Sequence, residues 1–192
     1  MNRRAFVFAL GLLLAAALAS VSCDKAVDPD QALSEGLAQQ QAGNTDAAAE
    51  KYQDVLDLRP SDKFANYNLG VIEQADGRVA LAEGYYRTAL DTDPSFVPAL
   101  FNLAILRTAA GATQESVDLY ERVLQVQADY AAAHFNLGIL LQNAGQQKEG
   151  EKQLNEALRL DPSLADRLAT QPIPPEGGGT PGSSASADAP AG

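Results

Sequence analysis

Few side chains in this chain are of a type that does chemistry. There is one histidine, His134, and one cysteine, Cys23. A single imidazole supplies one candidate general base and no His pair for a metal ion. A single cysteine excludes a disulfide framework and a thiolate metal site. The carboxylate pairs Asp91/Asp93 and Glu149/Glu151 are two residues apart, so on a helix they do not share a face. Neither pair comes with a nucleophile or a Gly-rich phosphate loop. These residues assign no catalytic group, no metal ligand and no cofactor.

Charge and composition narrow the class further. The 192 residues carry 14 Lys+Arg against 25 Asp+Glu, a formal net charge of −11, with a pI near 4.4. Such a chain is repelled by phosphate backbones, which argues against nucleic acid as a partner. Hydrophobic residues make up 46%, much of it Ala, and there is no Trp, a composition that suits slender helices packed closely. A binding or structural protein is expected, and an enzyme is not.

The elements that position these residues repeat at a fixed step. Gly43, Gly77, Gly111 and Gly145 are each separated by 34 residues. Pro60, Pro94 and Pro162 follow the same step with Ala128 in the vacant place, as do Tyr52, Tyr86 and Tyr120, followed by Leu154. Self-similarity at this period points to stacked supersecondary units. In each unit a first helix ends at the Gly, which accepts the left-handed conformation past a helix C-terminus. A second helix runs to the residue before Pro, which leaves helical space. Ser61, Ser95, Asp129 and Ser163 stand where the next N-cap is expected. Asn68-Leu69-Gly70, Asn102-Leu103-Ala104 and Asn136-Leu137-Gly138 recur in the first helices, and Ala48, Ala82, Ser116 and Gly150 are the small residues opposite them.

On these residues the stretch 29–164 resembles the tetratricopeptide repeat family. The resemblance implies an all-α fold, a right-handed α-solenoid of four helix–turn–helix repeats over 29–62, 63–96, 97–130 and 131–164. A short capping helix is expected over 165–170, with Leu164 and Leu168 spaced to cover the last repeat. The departures are local. Ala32, Asn66, Leu100 and His134 occupy the family's Trp position, and Glu35 stands where unit 1 should carry Leu. Leu154 and Gly150 replace the aromatic and the small residue of unit 4, which predicts a looser second helix there. His134 then falls at a packing position and is expected to be a partly buried, hydrogen-bonded residue.

In this family the first helices line a concave groove. Carried over position by position, that groove receives Leu33 and Leu37 from unit 1, and Tyr67, Val71 and Gln74 from unit 2. Phe101, Ile105 and Thr108 come from unit 3, and Phe135, Ile139 and Gln142 from unit 4. Asn68, Asn102 and Asn136 form a ladder beside them. No Lys or Arg is among these positions, so the family's clamp for a C-terminal carboxylate is not expected. An apolar groove rimmed by amides would hold a partner peptide through aliphatic and aromatic anchors. The same rings at helical spacing also suit tighter superhelical packing, cover by the chain's own tail, or contact with a second copy.

The two ends differ from the middle. In residues 1–22, Arg3 and Arg4 precede an uncharged run too short for the roughly 20 apolar residues of a membrane span. This pattern predicts a signal peptide, through the general secretory route rather than the twin-arginine route that Arg3-Arg4 also resembles. Ser20-Val21-Ser22-Cys23 resembles a lipobox, which makes Cys23 the lipidated N-terminus and residues 23–28 a tether. The other reading is cleavage after Ala19, leaving a soluble exported protein. Asp24 resembles the residue that retains some lipoproteins in the inner membrane. Pro, Gly, Ser and Ala make up 17 of the 22 residues of 171–192 and predict a disordered tail. The expected role is a lipid-anchored, periplasm-facing scaffold that binds a protein or peptide partner. The alternatives are a homodimer through the groove and an accessory module of an envelope enzyme or assembly complex.

Overall fold

A computed structural model of the protein describes residues 27–170. The leader, Cys23 and most of the tether lie outside these residues, as does the tail from 171 onward. The described chain is a succession of helices: α1 (Pro29–Gln41), α2 (Thr45–Leu58), α3 (Lys63–Ala75), α4 (Val79–Thr92), α5 (Val97–Ala109), α6 (Thr113–Val126), α7 (Ala131–Asn143), α8 (Gln147–Leu160) and α9 (Leu164–Ala169). Among the described residues there is no strand.

Each unit turns at its glycine. Gly43, Gly77, Gly111 and Gly145 have φ between 75° and 81°, a conformation that costs a Cβ-bearing residue dearly. The bonds around them recur as well. The Asn44 N–H donates to the Gln39 carbonyl at 2.9 Å and the Gly43 N–H to the Gln40 carbonyl at 3.0 Å. Arg78 with Glu73, Ala112 with Arg107 and Gln146 with Leu141 repeat the longer bond at 2.8 to 2.9 Å. This double closure satisfies carbonyls that a helix end leaves without partners.

The N-caps correct the sequence reading by one residue. Asp62, Phe96 and Tyr130 are the caps of α3, α5 and α7, not Ser61, Ser95 and Asp129. At Asp62 the cap is conventional: its carboxylate accepts from the Phe64 and Ala65 N–H groups, both at 3.0 Å. Ser95 and Ser163 complete the turn behind Asp-Pro instead. Each donates its N–H and its hydroxyl to the aspartate two residues back, Asp93 or Asp161. The turn takes up one residue more than the spacing of Pro and Ser suggests. Ser163 does precede α9, with no side-chain capping bond.

Packing follows from what faces each buried ring. Tyr52, Tyr86 and Tyr120 are almost wholly buried between the helices of their units. Gly36 and Gly70 leave room for them, because a Cβ at either position would lie 2.5 to 2.6 Å from the nearest ring carbon. Unit 4 uses a different solution. A Cβ on Gly150 would meet the Gly138 carbonyl oxygen at 2.8 Å, so the backbones of α7 and α8 themselves approach closely. The expectation of a looser second helix is thus reversed: Leu154 and a pair of glycines bring this helix pair together. Between units, Arg107 reaches Glu83 at 3.0 Å and Glu115 at 2.7 Å, tying α4, α5 and α6.

Three apolar clusters result, one at each end and one in the middle, and all close among residues 27–170. Among the described residues no buried side-chain nitrogen or oxygen lacks a partner. This stretch contains its own core and its own polar satisfaction, which are the requirements for folding alone.

Candidate functional site

The first-helix face is a ladder of rings, and each rung is built by two units. Tyr67 of α3 meets Phe96, the cap of α5, edge to face with centroids 5.4 Å apart. Phe64 meets the same Phe96 at 5.7 Å. One unit on, Phe101 of α5 meets Tyr130, the cap of α7, at 5.0 Å. Leu164 continues the series against Phe135 of α7, within the cluster that also holds Leu154 and Ala157. Phe96, Tyr130 and Leu164 were not among the residues expected at this face. Their signal was present: with Asp62 they form one series on the 34-residue step.

The rungs differ in accessibility. Leu37 is 42% and Phe64 46% exposed. Leu33, Tyr67, Val71, Phe101, Ile105 and Ile139 are half-buried. Phe135 departs from the expectation of a groove-lining ring, being only 2% exposed. Helix α9 covers it with Leu164 and Leu168 packed alongside, and the Arg167 guanidinium lies 4.8 Å from the ring centroid. The sequence marked α9 as a cap but not as the lid of this particular ring.

The amides are more committed than an open rim requires. The Asn68 amide donates to the Phe64 carbonyl at 2.8 Å, and its side chain is nearly buried. The Tyr86 hydroxyl donates to Gln74 Oε1 at 2.8 Å and accepts from the Asn102 amide at 3.3 Å. Tyr52 and Gln40 repeat the first of these bonds at 2.6 Å. Burial pushes the Tyr52 and Tyr86 phenols up to about 12, so both remain protonated donors at neutral pH. Asn136 and Gln142 are half-buried. Asn136 lines a hollow of about 310 Å³ between α5 and α7, together with Ile105, Ile139 and Asn143.

His134 lies on the other side of α7. One ring nitrogen, Nε2, is 3.0 Å from the Ala128 carbonyl, and Nδ1 is 2.6 Å from the Gln153 amide. Asn66, at the same place in unit 2, donates to the Pro60 carbonyl at 3.0 Å. Both side chains secure the turn from the unit before, a packing duty. No group of three His, Cys, Asp or Glu side chains placed to hold a metal ion occurs among the described residues. The face offers shape and apolar contact, bounded by amides of which Gln40, Gln74 and Asn102 are already tied to tyrosines.

Comparison with known proteins bears on the fold. Family models described as Tetratricopeptide repeat match residues 33–95, 99–129 and 131–164. No curated protein sequence matches the chain. Among solved structures, a crystal structure of MamA aligns with a TM-score of 0.65 at 18% identity, covering 72% of this chain and 81% of that one. MamA from Desulfovibrio magneticus RS-1 aligns with a TM-score of 0.62 at 18% identity, covering 71% and 77%. Pseudomonas aeruginosa PilF aligns with a TM-score of 0.64 at 25% identity, covering 73% and 66%. The 34-residue step, the left-handed glycines, the paired helices and these matches agree: the chain belongs to the tetratricopeptide repeat family.

Proposed function

We propose that this protein is a non-enzymatic scaffold that holds a peptide segment of a partner protein against its first-helix face. A lipid on Cys23 would fix it to the bacterial envelope, facing the periplasm. The observation that carries the reading is the apolar character of that face. Leu37, Phe64, Tyr67, Val71, Phe101, Ile105 and Ile139 form a half-open series, and the hollow beside Ile105 and Ile139 is large enough for an anchoring side chain. Peptide-in-groove recognition uses anchors of this kind at helical spacing.

The burial pattern selects the variants that test it. Tyr67 and Phe101 are half-buried as well as packed on other rings, so replacing them would confound binding with folding, whereas Phe64 meets Phe96 only from an exposed position. Leu37 and Phe64 are the accessible handles. Leu37→Lys with Phe64→Lys should abolish cross-linking to the partner in the native envelope while leaving helical content and thermal midpoint nearly unchanged. Equal cross-linking by the variant and the wild type would refute the peptide reading. Lipid attachment is tested separately: Cys23→Ser should release the protein from membranes and eliminate incorporation of labelled fatty acid.

A further inference from the structure

The second helices carry a line of exposed residues whose charge reverses from one end of the solenoid to the other. On α2, Asp46, Glu50, Gln53 and Asp57 are spaced i, i+4, i+7 and i+11, which puts them in one stripe, and all four are exposed. Three 34-residue steps later, Lys148, Lys152, Asn155 and Arg159 of α8 occupy the same places, and all four are again exposed. The amide keeps its position, and each of the three acids is replaced by a base. The intervening stripes on α4 and α6 are mixed: Ala80, Gly84, Arg87 and Asp91, then Gln114, Asp118, Glu121 and Gln125.

A second observation singles out α8. In a chain with so few cations, almost every described base is committed. Lys51, Arg59, Lys63, Arg78, Arg87, Arg107 and Arg159 are in ion pairs, Arg122 donates to the Pro94 carbonyl, and Arg167 lies over Phe135. Lys148 and Lys152 are the two described bases with no protein partner. They border a surface hollow of about 760 Å³ lined by all four residues of the α8 stripe, with room for side chains from an incoming helix. At the other end Asp46 and Glu50 are likewise in no ion pair or hydrogen bond among the described residues, and Asp57 accepts only from Gln53.

We propose that α2 of one copy docks on α8 of the next, with Asp46, Glu50 and Asp57 against Lys148, Lys152 and Arg159. The two stripes share one spacing, so every charge meets its opposite along the contact. The acidic end of one copy meets the basic end of another, so each joined pair keeps one stripe of each sign free and the assembly extends end to end. Glu149 and Glu151 flank the basic stripe, and a sideways slip would set acid against acid, which fixes the register. The contact uses the second-helix side and leaves the first-helix face open, so it stands independently of peptide capture.

The test is sedimentation velocity of the full chain in uncharged detergent, with residues 27–170 run beside it, at about 20 mM and about 300 mM salt. At low salt the average mass should climb with concentration past that of a dimer, and at high salt it should return to the monomer. Asp46→Lys/Glu50→Lys/Asp57→Lys makes both ends basic, and Lys148→Glu/Lys152→Glu/Arg159→Glu makes both acidic. Each variant alone should associate at least about tenfold more weakly than the wild type, while their equimolar mixture recovers association. A wild type that remains monomeric at low salt, or stops at a dimer, overturns the proposal, as does a mixture of folded variants that stays monomeric. If a triple variant loses helical content, Lys152→Glu alone decides: an unchanged association constant at low salt also overturns it.

Discussion

The two ends of the first-helix face offer apolar residues one helical turn apart in the repeat, and these meet different fates. At the N-terminal end Leu37 is 42% exposed, while at the C-terminal end Phe135 is 2% exposed. Both descend from positions that the repeat places on the concave side. What separates them is the element that follows. Phe135 is followed by α9, whose Leu164 and Leu168 close over it, whereas nothing among the described residues closes over Leu37. A repeat position therefore specifies the direction in which a side chain points, and the neighbouring unit determines whether it meets solvent. The open apolar strip on the first-helix face thus narrows toward the C-terminal cap.

The sharpest way to break this contrast is to truncate both residues. Phe135→Ala should lower unfolding stability by about 3–4 kcal/mol, the usual cost of removing a buried ring, while Leu37→Ala should cost about 0.5 kcal/mol or less. Urea midpoints at a common m-value measure both. Equal losses would mean that the two ends are equivalent, contrary to the burial described. Removing the lid should have the next largest effect. Leu164→Ala is expected to cost about 2 kcal/mol, at the low end for a buried leucine because its cluster is small and terminal. It should also speed hydrogen exchange in α7 near Phe135 before α3 near Tyr67. Uniform acceleration through the solenoid would show that α9 supports the whole stack and not one ring.

Legibility in the sequence follows the same division. The paired helices, the turn at each glycine and the buried tyrosines were readable because each is fixed by local chemistry: loss of helix before proline, left-handed φ, and a ring opposite a small residue. The covering of Phe135 was not readable from unit 4 alone, since it depends on residues that the next partial unit places above it. Phe96 and Tyr130 were missed for a related reason. They sit just outside the helices, where an N-cap was expected one residue earlier, yet they take part in three of the five ring–ring contacts among the described residues. The amides were misjudged in a third way. Asn68, Gln74 and Asn102 look available in a one-dimensional register, but a backbone carbonyl and the Tyr86 hydroxyl already engage them.

Alkali provides a milder probe of the difference between the ends. Burial holds Tyr52 and Tyr86 up to about 12, and Tyr120 is shifted in the same direction, whereas unit 4 has Leu154 at that place. An unfolded tyrosine ionises near 10, so between pH 10 and about 12 the unfolded chain binds fewer protons than the folded one. Stability must fall as pH rises through that window. The urea midpoint should decline there, and Tyr52→Phe combined with Tyr86→Phe should flatten the decline even though it removes the hydrogen bonds to Gln40 and Gln74. A decline of the same slope in the double variant would assign it to other groups.

The smallest effect expected concerns the turn before α5, which differs from the turn before α9 by one ion pair. Ser95 and Ser163 make the same bonds to Asp93 and Asp161, but only Asp93 also accepts from Lys63 Nζ, at 2.6 Å. That ammonium lies 5.1 Å from the Phe64 centroid and 5.2 Å from the Phe96 centroid, so it spans the open end of the aromatic ladder. The Lys63 and Ser95 hydrogen bonds hold the Asp93 carboxyl down at about 2. A depressed carboxyl stabilises the folded state above its unfolded pKa near 4, and that contribution is lost as pH falls toward 2. Because the pair is on the surface, salt screens it and the contribution is modest. Asp93→Asn should leave the thermal midpoint at pH 7 only slightly lower and make it less sensitive to acid between pH 4 and 2 than the wild type. Lys63→Gln, which keeps the serine turn and removes the ammonium, should likewise make the midpoint less sensitive to acid. If Lys63→Gln keeps the acid profile of the wild type, the serine turn and not the lysine holds the Asp93 carboxyl down.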